Sequence, residues 1–158
     1  MKLLFKERFF SWLDSYDIFD EEGETVYSVE GKLSLGKRLH ILDRNERHVA
    51  TLKQRLMTFF PTFDLYLGCE EEYLGSITKE FSLFTPSFTI DYMDWQVKGD
   101  LFEWDYEIHD ADDRLVATIS KDIFRFTDTY CIDIVTPADA LHVLLLVLAI
   151  DAEKSARS

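Results

Sequence analysis

The sequence predicts a mainly β protein of the α+β type: a closed barrel of about twelve mostly antiparallel strands around one buried, hydrophobic C-terminal helix. Three observations carry this. A hairpin motif recurs through the first 135 residues, one apolar segment without Gly or Pro follows it, and that segment is too short to cross a bilayer yet too apolar to face water. A helix with its side chains is about 10–12 Å across, and an eight-stranded barrel has room only for its own side chains, so enclosing the helix takes about twelve strands.

In chain order, Leu3–Phe10 is rich in aromatic and aliphatic residues and reads as the first strand. Three hairpins carry the repeat. They run Tyr16-Asp-Ile-Phe-Asp20 to Val26-Tyr-Ser-Val29, Leu39-His-Ile-Leu-Asp43 to Val49-Ala-Thr-Leu52, and Tyr106-Glu-Ile-His-Asp110 to Val116-Ala-Thr-Ile119. In each, an Asp opens a short polar segment, and apolar residues follow it six and nine positions later. Asp suits that place because its carboxylate bonds backbone N–H groups at turns, so Asp20, Asp43 and Asp110 should each accept one. A fourth, weaker copy joins Phe63–Gly68 to Leu74–Ile77, with Gly68 in the Asp slot and the outgoing alternation shifted by one.

Period-two alternation puts Tyr16, Ile18, Leu39, Ile41, Tyr106 and Ile108 on the core face, joined on the return strands by Ala50, Leu52, Ala117 and Ile119. The small residues Ala50, Gly75 and Ala117 mark shallow wall positions where the helix should approach closely. Further strands are expected at Phe88–Tyr92, Trp95–Gly99 and Thr129–Val135.

The period then changes. Thr136 supplies an N-cap, Pro137 the first helical position and Asp139 an acid in the first turn, which predicts a helix over about 137–154. From Ala140 to Ile150 there are eleven residues, interrupted by His142 and bracketed by Asp139 and Asp151, whereas a bilayer needs about twenty. The helix is therefore expected inside protein, with His142 bonded to a wall carbonyl. Trp12, Trp95 and Trp104 should plug gaps between wall and helix.

A chain of 158 residues, 47% apolar and 30% charged, with no Pro-, Gly- or Ser-rich linker, reads as one domain over 1–158. Its net charge of −13 repels nucleic acid, which is excluded as a general partner. Two cysteines make no disulfide framework, and the apolar run at the start is too short for a signal peptide, so a cytoplasmic location is expected. No nucleophile elbow, phosphate-binding loop, dinucleotide fingerprint or zinc motif is present. Cys69 stands beside Glu70-Glu-Glu72 and Cys131 alternates within a strand, so both read as passive thiols. Asp110, Asp112 and Asp113 resemble the start of a calcium loop, but Leu115 and Lys121 stand where that loop needs Gly and Glu. The expectation is no catalytic residue, no cofactor and no metal site.

One segment departs from the global charge. Between Lys32 and Arg55 seven basic residues face two acids. If Ile41 and Ala50 pair across the second hairpin, Arg38, His40, Lys53 and Arg55 face outward and Arg38 lies opposite Lys53. Like charges so opposed cost a few tenths to about 1 kcal/mol, and an anion between them would relieve the repulsion. Arg38, Arg44, Arg47, Lys53 and Arg55 are the candidate anion-binding residues, with Arg44 and Arg47 reaching round from the tip. Edge protection and solubility explain surface cations more simply than a binding site does.

Phe10-Ser-Trp12, the Asp-ended hairpins, Phe84-Thr-Pro-Ser-Phe-Thr-Ile90, Trp95-Gln-Val-Lys-Gly-Asp100 and the terminal apolar helix together resemble the LURP-one-related family in its bacterial YxjI-type branch. The resemblance covers nearly the whole chain in order. It implies the tubby C-terminal-like fold, a barrel around a hydrophobic helix, and supplies no activity, since kinship of fold is analogy. The related tubby proteins hold phosphoinositide head groups on the barrel exterior, a likeness of site type without matching positions. The expected function is a non-enzymatic cytoplasmic binding or scaffold domain whose partner is a protein or an anionic lipid head group. The alternative is an enzyme of unknown reaction with its site at a barrel mouth.

Overall fold

The computed structural model describes residues 1–6, 15–80, 87–121 and 129–155. Among them the strands are β1 (Lys2–Lys6), β2 (Ser15–Phe19), β3 (Thr25–Lys32), β4 (Arg38–Asp43), β5 (His48–Gln54), β6 (Thr62–Leu67), β7 (Glu72–Glu80), β8 (Ser87–Tyr92), β9 (Gln96–Asp100), β10 (Asp105–His109), β11 (Leu115–Lys121) and β12 (Thr129–Ile134). A 3₁₀ turn over Pro137–Asp139 leads into the helix α1 (Ala140–Ser155). Trp12 and the later part of the expected Leu3–Phe10 strand lie outside the described residues.

The twelve strands form one antiparallel sheet in the order β8-β7-β6-β5-β4-β3-β2-β1-β12-β11-β10-β9. Every pairing joins sequence neighbours except that of β1 with β12, over the five pairs from Lys2↔Asp133 to Lys6↔Thr129. That contact curls the sheet round. The expected closure is complete except at one seam, since β8 and β9 are the two ends of the sheet and do not pair with each other.

The repeat is a single turn used three times. The Oδ1 of Asp20 accepts the N–H groups of Glu22 (3.1 Å) and Glu24 (2.9 Å), that of Asp43 those of Asn45 (2.8 Å) and Arg47 (3.1 Å), and that of Asp110 those of Asp112 (2.9 Å) and Arg114 (3.0 Å). Three residues after each Asp the backbone turns left-handed, at Gly23 (φ 85°), Glu46 (φ 60°) and Asp113 (φ 63°). A β-bulge precedes each turn, at Ile18/Phe19, Ile41/Leu42 and Ile108/His109. The bulge adds local twist, which a closing sheet needs. In the fourth hairpin the irregularity falls one place earlier relative to Gly68, at Leu65/Tyr66.

The core face is as alternation places it: Ile18, Leu39, Ile41, Ala50, Leu52, Tyr106, Ile108, Ala117 and Ile119 are buried, while Tyr16 is half-buried. Inside lies α1, buried on every side from Val143 through Ile150. An all-round apolar helix is stable only in such an enclosure. It runs nearest β5, β6, β7 and β12.

Three local expectations change. Thr136 is the N-cap residue but its side chain makes no capping bond, because the first turn is 3₁₀. His142 is half-buried at the start of α1, and its backbone carbonyl, rather than its ring, meets the wall by accepting the Tyr92 hydroxyl (2.9 Å). Gly75 is small for β8 rather than for the helix: at φ 147° a Cβ there would stand 2.0 Å from the Asp91 carbonyl oxygen. Trp95 and Trp104 do plug the core. Trp95 packs edge-on to Tyr92 (5.7 Å), and Trp104 stacks on Tyr130 (4.1 Å) under the Lys154 ammonium (4.4 Å).

The far end of the helix is polar. Lys79 is 1% exposed and donates to the Glu153 backbone carbonyl (3.0 Å), satisfying an end that α1 leaves open. Glu153 itself is 0% exposed. Both its carboxyl oxygens are without a hydrogen-bond partner among the described residues.

Candidate functional site

The second hairpin places the basic residues in register. Arg38 of β4 lies directly opposite Lys53 of β5, and Lys32 of β3 opposite Arg38, so three cations line one cross-strand row that ends at Asp64 of β6. Alternation dictates this, since Leu39 and Leu52 take the inner face.

Glu70, in the β6–β7 turn, resolves the repulsion. Its Oε2 accepts from the Arg38 guanidinium at 3.0 Å and its Oε1 from the Lys53 ammonium at 2.9 Å. Each oxygen takes one cation, as the two oxygens of a phosphate or a foreign carboxylate would. The hydrogen bond from Lys53 and the charge of Arg38 hold this carboxyl below its ordinary range. Glu70 stands at φ 66°, a left-handed conformation uncommon for residues other than Gly, Asn and Asp.

His40 orients the guanidinium. Its Nε2 accepts from Arg38 Nε at 3.0 Å, and its ring stacks on His48 at 4.0 Å. Burial first, then the neighbouring His48 and Arg38, push its pKa down to about 4, so at neutral pH it is the uncharged acceptor this bond requires. His48 Nε2 lies 2.9 Å from Thr51 Oγ1, whose hydroxyl in turn donates to the Gly68 carbonyl (2.7 Å), tying the site to the turn that carries Glu70. Cys69 Sγ lies 3.9 Å from Arg38 Nη2, so its neighbourhood includes a cation as well as the acids beside it in sequence.

The other three candidates stand apart. Arg55 grips Asp64 through two bonds (3.1 and 2.5 Å). Arg44 reaches across to Asp20 (3.0 Å), and Arg47 folds back on Asp43 (2.7 Å). The tip arginines therefore turn to the carboxylates of their own turn and of the neighbouring one instead of curling round the Arg38–Lys53 pair. Sequence reasoning missed Glu70 and the orienting role of His40. The run Glu70-Glu-Glu72 is the visible signal, legible once β6 is known to lie beside β5.

The acids of the third hairpin are engaged locally: Asp112 with Arg114 (2.5 Å), and Asp113 with Lys98 and His109. Hydrogen bonds with Glu107 and the Asp113 backbone raise the His109 pKa.

A near-closed twelve-stranded barrel threaded by an apolar helix, with the Arg38–Glu70–Lys53 cluster on its outer face, defines the class as a helix-filled β-barrel of the tubby-like type. The chain belongs to the LURP-one-related family, whose profile matches residues 1–151. It is 26% identical over 152 residues to the uncharacterized protein YxjI of Bacillus subtilis strain 168, covering 96% of this chain and 92% of that one. A solved protein of Arabidopsis thaliana shares the fold at a TM-score of 0.65 and 16% identity, over 96% of this chain and 90% of its own. Among the described residues no helix is long and apolar enough to cross a membrane.

Proposed function

We propose that this chain is a non-enzymatic binding domain whose outer face takes an anionic group, a lipid head-group phosphate above all, between Arg38 and Lys53. One observation carries the reading. Two cations in direct cross-strand register are bridged by a single carboxylate, which is brought in by a turn and is itself about 30% exposed. Partly exposed ion pairs contribute about 0–1 kcal/mol each, so an incoming phosphate can displace Glu70 at small cost. His40 keeps the guanidinium aimed while the carboxylate leaves. Arg44, Arg47 and Arg55 sit at the margin, each with its own carboxylate. Cys69 and Cys131 are not joined in a disulfide, which fits a reducing compartment such as the cytoplasm.

The test is co-sedimentation with phosphatidylcholine vesicles carrying phosphatidylglycerol, at low and physiological salt. The parent is compared with Glu70→Gln and with the double variant Arg38→Gln/Lys53→Gln. Glu70→Gln should bind about tenfold more tightly, on the order of 1.4 kcal/mol, and the double variant should stay in the supernatant. Equal sedimentation of all three proteins would sink the reading.

The alternative, an enzyme with its site at a barrel mouth, has one observation in its favour: Lys79 and Glu153 are both fully buried at one end of α1, and burial lifts the Glu153 pKa to about 8. Turnover of generic ester, amide or phosphate substrates that Glu153→Gln removes and Arg38→Gln/Lys53→Gln leaves intact would select it.

A further inference from the structure

The two free edges of the sheet face each other across the seam. Tyr92-Met93-Asp94-Trp95 joins β8 to β9 as a tight turn, with the Trp95 N–H donating to the Tyr92 carbonyl (2.9 Å) and left-handed φ at Met93 (53°) and Asp94 (54°). Left-handed φ at both central residues is the type I′ pattern, which ordinarily feeds straight into a two-stranded ladder. Here no ladder follows, for among the described residues β8 pairs with β7 alone and β9 with β10 alone.

Between them lies a cavity of about 460 Å³, lined by Phe88, Ile90, Val97, Leu101 and Phe102 together with Gly99. At the end away from the turn, the Phe88 and Phe102 rings approach to 5.7 Å. Ser87 and Asp100 add two polar side chains to this otherwise apolar lining, and both backbone rims are polar. A row of unpaired strand N–H and C=O groups is a template for another strand, and proteins usually blunt such rows with charges or Pro. Here the blunting is by acids alone, without the usual Lys or Pro. Residues 87–105 contain no Pro, and their one lysine, Lys98, is engaged by Asp113.

The same stretch carries five acids, Asp91, Asp94, Asp100, Glu103 and Asp105. Lys154 reaches the Phe102 carbonyl (3.0 Å) and Lys121 lies 3.9 Å from Glu103, so Asp91, Asp94 and Asp105 carry the net negative charge that selects what enters. The geometry points to a docking site for one extended segment of a partner protein, with alternate apolar residues turned into the cavity and Lys or Arg between them on the outside. Such a strand would pair with β8 on one side and β9 on the other, so the partner completes the barrel by strand addition. An acyl chain would fill the apolar walls but leave both backbone rims unpaired, and an anionic lipid would meet the acids.

This inference is independent of the anion site on β4 and β5. Its test uses a synthetic heptapeptide, acetyl-Lys-Val-Lys-Ile-Lys-Val-Lys-amide, its Glu-for-Lys counterpart, and oleate as the acyl probe. Affinity is read by fluorescence polarisation and location by amide hydrogen exchange. The lysine peptide should bind, slowing exchange at least tenfold in β8 and β9 and in no other strand. Asp91→Lys should weaken it several-fold, while Arg38→Gln/Lys53→Gln should leave it unchanged. The proposal is overturned if the lysine peptide fails to bind, if the Glu peptide or oleate binds as well, or if protection appears elsewhere. Concentration-dependent dimerisation that protects the same amides would overturn it too, by naming a second copy as the occupant.

Discussion

Replacing Glu153 with Gln should stabilise this protein, and more so the higher the pH. The Glu153 side chain is 0% exposed, its two oxygens are unpartnered among the described residues, and burial pushes its pKa from 4.5 up to about 8 against the weaker pull of Lys79 and Lys37. In the unfolded chain the group returns to its ordinary value, so the folded state binds a proton that the unfolded state has released. The stability attached to that proton is fully present below about pH 4.5 and is lost as pH rises through about 8. At about 1.4 kcal/mol for each pKa unit, the loss is about 1 kcal/mol at pH 5.5, about 3 kcal/mol at pH 7 and about 5 kcal/mol at pH 8.5. Gln has the same shape and no charge to titrate, so it escapes the loss. Urea unfolding followed by circular dichroism at those three pH values should give midpoints that diverge from the parent by about 1–3 M at pH 7, for slopes of about 1–3 kcal/mol per M. A difference that stays flat with pH, or a parent more stable than the variant at pH 7, would show that Glu153 is ionised in the fold and bound to Lys79.

Leu145→Asp places an unpaired carboxyl at a position 0% exposed in the helix axis; a penalty of several kcal/mol removes much of the roughly 5–15 kcal/mol that holds a domain together, and soluble protein with a native circular dichroism spectrum and an unchanged melting temperature would contradict it. Asp110→Ala deprives the Asp112 and Arg114 amides of their acceptor, which should cost about 1 kcal/mol and lower the melting temperature by about 2–4 °C, with Asn restoring part of it in a thermal scan. Gly75→Ala drives a Cβ to 2.0 Å from the Asp91 carbonyl oxygen and should destabilise by about 2 kcal/mol or more; calorimetry showing an unchanged melting temperature would mean that β8 gives way freely.

What was legible in the sequence follows the range of each interaction. The Asp turns close within five residues, so Asp20, Asp43 and Asp110 could be read directly, as could the inner face that alternation assigns. The enclosure of α1 was legible because apolar residues surround it over a length too short for a bilayer. The opposition of Arg38 and Lys53 could be counted along one hairpin. Its resolution by Glu70 could not, since that carboxylate comes from a turn two strands away. Lys79 continues the inward alternation of Gly75 and Ile77, and Glu153 falls on the helix face of Leu146 and Ile150, so their burial was inscribed in the period and overlooked because charge suggested the surface. The seam left no mark, because the failure of β8 to pair with β9 depends on how the whole sheet curls.

The β1–β12 pairing also sets an order of events. Synthesis delivers β1 first, yet its main partner is the strand immediately before the helix, so the sheet cannot curl into a barrel until nearly all its strands exist. The segment that fills the core comes later still. Until then some eleven strands must hold their apolar face against nothing, a state in which edge pairing between chains competes with folding. Long-range pairing of this kind places folding in the millisecond-to-second range rather than the microsecond range of helical bundles. Expression of the chain should accordingly depend on temperature and on the supply of chaperones more than its final stability would suggest, and α1 behaves as a keystone, delivered last and holding up everything set before it.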